Sequence, residues 1–293
     1  VMYVPLMAVT VALAGLGMLM SATHLGKPWR FYRGFNNLRH SPVCREGLGM
    51  LLYMVFAGVH LLAMLPENAV FISMLGEWGS FRTVASVTGY LALIAGAVGL
   101  YYMYRCYRIP ARPFWNHWQT GSAFLGTALS MGSVVLALIG VPPLMLIDAD
   151  GLALVKLSMC GIIFGSALEA FGLWWHAVAM NKGNNEGSVS HYIQSTLFGK
   201  SYALRNVLLL VNLILASALL SSANLGVMAL LGGAVLCGSI LATAIIGRCL
   251  FYVLVIPTTM PGAFFWKNKD FEEHARDIGL ANMPQVGVVA HAH

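Results

Sequence analysis

Two residues that could exchange protons stand at the ends of a basic stretch, residues 24–46. His24 begins this stretch and Glu46 ends it, and the stretch is longer than a connection between two apolar segments requires. A histidine titrates near neutral pH and a carboxylate accepts protons, so the pair could carry out acid–base chemistry. The ordinary interpretation stays open, in which Glu46 opens and stabilises a helix and His24 is a polar interfacial residue.

Glu169 and His176 form a second candidate pair inside a long apolar segment. Ionisable residues in such segments are costly and are often functional. The spacing of seven residues places them two helical turns apart on nearly the same face. Glu169 could relay protons, or it could be neutral or paired with Arg205 or Arg248 and so fix the helix packing.

A third candidate, His60, lies in the middle of another apolar segment. Together with His176 it could ligate a haem b, because axial histidines are one common way of holding haem iron. A lone histidine on an apolar helix is more often a hydrogen-bonded core residue. The five cysteines are widely scattered, without C-x-x-C pairs or metal-ligand spacing, so we expect no metal site.

The elements that position these residues are apolar helices. Hydrophobic residues make up 58% of the chain and charged residues 10%, and the mean hydropathy is +0.74, which excludes a water-soluble enzyme. Seven runs are long enough to cross a hydrocarbon core: approximately residues 2–22, 47–65, 84–104, 121–141, 152–179, 203–221 and 225–255. We therefore predict an all-α, polytopic transmembrane bundle over residues 1–256 and a polar tail over residues 257–293. Glycines that predict close helix packing recur in several runs: Gly47, Gly49, Gly89, Gly96, Gly99, Gly232, Gly233 and Gly238.

The positive charges predict the orientation of this bundle. When consecutive loops are assigned to alternate sides, all of the 17 lysines and arginines except Arg82 and Lys156 fall on one side, called here the basic face. Because basic loops remain in the cytoplasm, the basic face is predicted to be cytoplasmic, and the net charge of +6 needs no nucleic-acid partner. Aromatic residues near predicted span ends on this face suggest an interfacial belt: Tyr107, Trp115, Trp118, Trp174, Trp175 and Trp266.

Several motifs together resemble one membrane-protein family. They are S-x-x-H-L-G-x-P-x-R-F from Ser21, N-L-R-H-S from Asn37, Arg45-Glu46, Ala-Leu-Glu169-Ala, Leu-Arg205-Asn-Val-Leu-Leu and Ile-Gly-Arg248-Cys-Leu-Phe-Tyr. In this order and spacing they resemble the membrane anchor subunit of dimethyl sulfoxide reductase, the DmsC family. Cys44 stands where the family pattern has serine. The family carries eight transmembrane helices, so we expect the missing one at an end or hidden in the long seventh run. The valine start suggests that the natural start is lacking.

The resemblance implies an electron-transfer function. Such anchors hold a molybdopterin catalytic subunit and an iron–sulfur subunit on the prokaryotic inner membrane and exchange electrons with menaquinol or ubiquinol. They carry no cofactor of their own, so no haem is expected. The resemblance associates His24 and Glu46 with the quinol site. Arg30 and Arg33 would supply hydrogen bonds or a docking surface, and Glu169 would relay protons or contact the quinone region.

Other interpretations remain at this stage. Relatives that oxidise sulfite face the cytoplasm and reduce quinone, which would agree with the basic face, whereas many complexes of this family export their catalytic subunits. A haem b quinone oxidoreductase subunit would need paired histidines at one membrane depth. A secondary transporter would be expected to show repeat symmetry and broken helices, and the sequence shows neither.

Overall fold

The chain folds into long helices that run back and forth between two ends of a bundle. The computed structural model describes residues 3–23, 27–75, 79–146, 151–183, 185–222, 226–256 and 277, and within these residues every regular element is helical. The α-helices are α1 Tyr3–Thr23, α2 Pro42–Met64, α3 Ala69–Leu75, α4 Arg82–Tyr107, α5 Gln119–Leu146, α6 Leu152–Lys182, α7 Glu186–Ser195, α8 Gly199–Leu220 and α9 Val227–Val253. Two short 3₁₀ segments, Pro28–Phe35 and Leu65–Glu67, flank α2.

Seven of these helices, all except α3 and α7, are long and apolar enough to cross a membrane, which confirms the seven predicted spans. Many of their large apolar side chains are exposed, for example Leu93, Phe164 and Leu210, as lipid-facing residues must be. The seventh run does not hide a second span, because α9 is one continuous helix of 27 residues, about 40 Å long. Of the predicted polar tail, only residue 277 belongs to the described part of the chain.

The start of α2 differs from the prediction in a way that affects Glu46. The helix begins five residues before the apolar run, because Ser41 caps it: the Ser41 hydroxyl accepts a hydrogen bond from the Cys44 amide at 3.3 Å. Pro42 follows at the first helical position, where its missing amide hydrogen is not needed. Glu46 therefore lies inside the helix and does not open it, and its interpretation as the stabiliser of the helix start is wrong.

Two groups of helices build the bundle. α2 packs extensively against α4, α5 against α6, and α8 against both α6 and α9. Glycines permit the closest approaches, because a Cβ atom built on Gly49 would lie 2.8 Å from the Cα of Gly99, and one on Gly126 would lie 2.5 Å from the carbonyl oxygen of Gly165. α1 contacts α2 but has no buried residue, so it is the least tightly packed of the spans.

Candidate functional site

The environment of Glu46 is built by α2, α4 and the loop before α2. The Cys106 thiol of α4 donates a hydrogen bond to Oε2 of Glu46 at 3.3 Å, and Glu46 itself is half-buried. Its neighbour Arg45 donates to the carbonyl oxygens of Leu38 at 2.7 Å and Arg39 at 2.5 Å. These bonds fix the loop against the start of α2, so the carboxylate lies at the basic face, between an apolar helix pair and a basic loop.

The other residues predicted for this site are less closely joined to Glu46. Arg30 and Arg33 lie on the 3₁₀ segment Pro28–Phe35 with exposed side chains. Neither forms a hydrogen bond or an ion pair with Glu46 in the part of the chain that the structure describes. His24 lies outside the described residues. Sequence reasoning missed Cys106, since a scattered cysteine inside an apolar run gives no local signal of a carboxylate partner sixty residues away.

A second polar site lies among α5–α9, also towards the basic face. It is a small cavity of about 40 Å³, enough for one or a few water molecules but not for an aromatic ring. Its polar lining comes from all five helices: Gln119, Thr127, Glu169, His176, Gln194, Arg205 and Arg248. The structure therefore brings the predicted pair Glu169 and His176 into one cavity.

Charge in this cavity is not balanced by a direct ion pair. Glu169 is 7% exposed and accepts a hydrogen bond from the Thr127 hydroxyl at 3.3 Å, while Arg205 is 3% exposed. A Cβ built on Gly247 would lie 3.8 Å from Glu169 Oε1 and 3.7 Å from Arg205 Cδ, so these groups meet around the α9 backbone. Within the described residues, no cation lies within 4 Å of the Glu169 carboxylate. Arg205 and Arg248 therefore line the same cavity as Glu169, as the pairing alternative predicts. Neither arginine forms a direct ion pair with Glu169 in the described residues.

The two arginines instead lie over aromatic rings. The Arg248 guanidinium is 4.1 Å from the centroid of Phe124, and that of Arg205 is 5.0 Å from the centroid of Tyr202. Arg205 also donates to Oδ1 of the adjacent Asn206 at 3.0 Å. The buried Arg205 and the half-buried Arg248 outnumber the single carboxyl group of Glu169, which gives the cavity a positive character.

Two further histidines lie beside His176, which lines the cavity. His176 donates from Nε2 to the Phe114 carbonyl at 3.0 Å, and its ring centroid lies 5.1 Å from that of His117 and 6.4 Å from that of His191. Burial lowers the pKa of His117 and of His191 below the usual value, and the positive charge of a neighbouring arginine lowers both further. These two imidazoles therefore favour the neutral form.

His60 does not meet His176 in the described part of the chain. Its Nδ1 donates to the Ala85 carbonyl at 2.6 Å, and its Nε2 accepts from the Tyr3 hydroxyl at 2.5 Å. Both nitrogens thus have partners on α1 and α4, which does not favour the interpretation of His60 and His176 as a haem-ligating pair. In the residues described, no three His, Cys, Asp or Glu side chains converge as metal ligands.

An aromatic cluster separates Glu46 from the Glu169 cavity. Tyr107 follows Cys106 on α4, shares a hydrogen bond of 2.8 Å with the Tyr252 hydroxyl, and packs edge-on against Trp115 and Phe251. Trp115 is buried, stacks on Phe251 and donates to its carbonyl at 2.8 Å, so its prediction as part of an interfacial belt is wrong. The exposed Trp174 and Trp175 remain compatible with such a belt, and residue 266 lies outside the described residues.

Comparison with known proteins places the chain in a family. The family model described as DMSO reductase anchor subunit (DmsC) matches residues 2–254, which include both polar sites and all seven spans. The chain belongs to the DmsC family. A DmsC chain is a multi-pass membrane protein and the anchor subunit, not the catalytic subunit, of a DMSO reductase-type complex. No curated protein and no solved structure matches this DmsC chain.

Proposed function

We propose that this DmsC chain passes electrons between membrane quinol and the iron–sulfur subunit of a molybdopterin oxidoreductase, and that the quinol ring binds beside Glu46. The observation that carries the proposal is a half-buried carboxylate at the basic face, held by the Cys106 thiol between α2, α4 and an anchored basic loop. A ring dissolved in the bilayer can reach this position, and a proton leaving it can reach water through the loop.

The chemistry of quinol oxidation matches these residue types. Oxidation of a quinol to a quinone releases two electrons and two protons, so the ring needs a hydrogen-bond partner and a proton acceptor. We assign the acceptor role to Glu46 and the hydrogen bond to a ring oxygen to His24. The electrons leave to the partner's iron–sulfur cluster, which requires that subunit to dock at the basic face. The exposed guanidinium groups of Arg30 and Arg33 suit this docking surface.

Glu169 is assigned to proton exchange and not to contact with the ring. Its cavity of about 40 Å³ admits water but no quinone ring. Arg205 and Arg248 line the same cavity, and the Thr127 hydroxyl donates a hydrogen bond to the Glu169 carboxyl group. We assign to Glu169 the exchange of a proton with water in this cavity.

The orientation favours one subclass of complex. The basic face carries nearly all lysines and arginines, and by the positive-inside rule it lies in the cytoplasm of a prokaryotic cell. Catalytic subunits docked there would be cytoplasmic, as in a sulfite dehydrogenase-type complex, in which the same site would work in reverse: electrons would arrive from the iron–sulfur cluster, and quinone would take up two electrons and two protons. Cysteine-labelling of Arg33→Cys from either side of sealed vesicles tests this orientation, and labelling from the periplasmic side would exclude it.

The decisive experiment is quinol-dependent reduction of the partner's iron–sulfur clusters in membranes carrying the assembled complex. We expect Glu46→Gln and His24→Ala to slow cluster reduction by about 100-fold or more, within the range for loss of a general acid or base. Glu186→Gln is the matched control, because Glu186 also lies near the start of a helix on the basic face. Native rates in both site variants, with normal assembly, would contradict the proposal.

A further inference from the structure

The loop before α2 is attached to that helix immediately before and immediately after Glu46. Before Glu46, the Arg45 side chain bonds to the loop backbone. After Glu46, the Phe35 ring packs against Gly47, since a Cβ atom built on Gly47 would lie 3.5 Å from Phe35 Cε1. Residues 36–41, which join the 3₁₀ segment to α2, therefore have a fixed position relative to the proposed proton acceptor.

The guanidinium group of Arg45 joins three elements. Its Nε donates to the Leu38 carbonyl at 2.7 Å and its Nη2 to the Arg39 carbonyl at 2.5 Å, both in the loop. Its Nη1 donates to the Tyr102 hydroxyl on α4 at 3.3 Å, and the Tyr102 ring centroid lies 5.3 Å from Cζ of Arg45. Each of the three nitrogens thus has a partner, and Arg45 itself belongs to α2.

These bonds restrain a loop that burial does not hold. Residues 36–40 are all exposed, and a segment with few buried contacts opens easily. The two carbonyl oxygens belong to consecutive peptide groups, and a planar guanidinium can bond to both at once, whereas a lysine ammonium is a single compact donor. Arg45 also differs from the exposed Arg30 and Arg33, because it is half-buried and its nitrogens are already bonded within the chain.

We propose that Arg45 is a positioning residue of the quinol site, which holds the loop where the quinol ring can bind beside Glu46. The inference rests on the proposed function and adds a residue that acts through the loop and touches neither the ring nor the partner subunit. Without the three bonds, the loop spends only part of its time in the competent position. The apparent dissociation constant for quinol then rises by the inverse of that fraction. Since bound quinol itself selects the competent position, the maximal rate changes little.

The rate of iron–sulfur cluster reduction in the assembled complex, measured as a function of quinol concentration, tests the inference. We expect Arg45→Lys, which keeps the charge and loses the fork, to raise the half-saturating quinol concentration about tenfold or more, since bonds from a charged group are lost. The maximal rate should change less than about twofold. Arg105→Lys is the matched control and should change neither value, because the Arg105 side chain is exposed on α4 and makes no hydrogen bond to any residue that the structure describes.

A second variant separates shape from charge. In Arg45→Ala, added ethylguanidinium should lower the half-saturating quinol concentration towards the native value, whereas ethylammonium, which has the same charge but no planar fork, should not. Equal rescue by both cations, or native values in Arg45→Lys, would overturn the inference. Amide hydrogen exchange of residues 36–41 gives a readout without quinol: exchange should quicken in Arg45→Lys and not in Arg105→Lys, and equal exchange in the two variants would also overturn it.

The outcomes also separate this inference from the proposed function. If Glu46→Gln slows cluster reduction and Arg45→Lys leaves both the half-saturating concentration and the maximal rate native, Arg45 does not position the site, whereas the proposed function stands. If Arg45→Lys raises the half-saturating concentration and Glu46→Gln leaves the rate native, the loop positions the quinol and the assignment of the proton acceptor to Glu46 is wrong. Tyr102→Phe removes only the bond to α4 and should raise the half-saturating concentration less than Arg45→Lys does; a larger rise would overturn the assignment of the effect to the loop.

Discussion

The contact between Gly49 and Gly99 should control both stability and the Glu46 site. In Gly49→Ala the new Cβ would lie 2.8 Å from the Gly99 Cα and 2.8 Å from its amide nitrogen, whereas ordinary contact begins at 3.4 Å. Both opposing atoms belong to the backbone, so a side-chain rotation cannot relieve the overlap. The helices must separate by about 0.6 Å, the difference between these distances, or change their crossing angle.

The expected cost follows from overpacking. Inserting a methyl group into a close contact destabilises a folded protein by about 1–3 kcal/mol, which equals about a five- to 150-fold change in the unfolding equilibrium. Separation of α2 from α4 also lengthens the 3.3 Å bond between Cys106 and Glu46, so we expect slower quinol oxidation as well. Stability can be measured by reversible unfolding in mixed detergent micelles with increasing dodecyl sulfate.

Gly58→Ala on the same helix is the matched control. A Cβ at Gly58 meets nothing within 4 Å, so this change should be neutral or stabilise the helix by about 0.5–1 kcal/mol. If Gly49→Ala and Gly58→Ala unfold at the same denaturant concentration, the close approach of α2 and α4 at Gly49 does not exist and the reasoning is refuted.

Three further predictions concern the polar sites. Cys106→Ala removes the hydrogen bond to Glu46 and should shift the pH profile of quinol oxidation, while Cys106→Ser should retain much of the native profile. Identical pH profiles for the native chain and both variants would exclude a role for this bond. Thr127→Val deletes a hydroxyl bonded to Glu169 and should destabilise the chain by about 1–3 kcal/mol, measured by the same unfolding assay; an unchanged midpoint would contradict the 3.3 Å contact. The folded chain holds the pKa of His117 below its value in the unfolded chain, so protons bind the unfolded state preferentially and stability should fall as the pH drops below about 6.5. In His117→Gln this part of the pH dependence should disappear, and a slope equal to that of the native chain would assign it to other groups.

Local patterns in the sequence explain why the spans could be predicted. A transmembrane helix forms its backbone hydrogen bonds within itself and needs only enough apolar residues to cross the bilayer. Both requirements are met by residues that are adjacent in the sequence. The family motifs likewise lie in short stretches, around Glu46, Glu169, Arg205 and Arg248. The match of residues 2–254 to the DmsC family confirms that these motifs together identify the family.

Glycine spacing predicted helix contacts only in part. Gly49, Gly96 and Gly99 lie in close contacts between α2 and α4, as expected. Gly233 and Gly238 of α9 meet nothing within 4 Å outside their own helix in the described residues, because their side of the helix does not face a neighbour. Composition shows where a close approach is permitted, whereas the rotation of each helix decides where it occurs.

The sequence by itself determined the seven spans, the basic face, the family and the candidate acids, because hydropathy, loop charge and short motifs act through residues that are close along the chain. Only the tertiary structure decided which polar groups meet. The Cys106 thiol reaches Glu46 across sixty residues, Glu169 and Arg205 meet around Gly247, and Tyr3 pairs with His60. These encounters depend on helix rotation and crossing, which are set by small-residue contacts between distant segments and leave no periodic signal in the sequence.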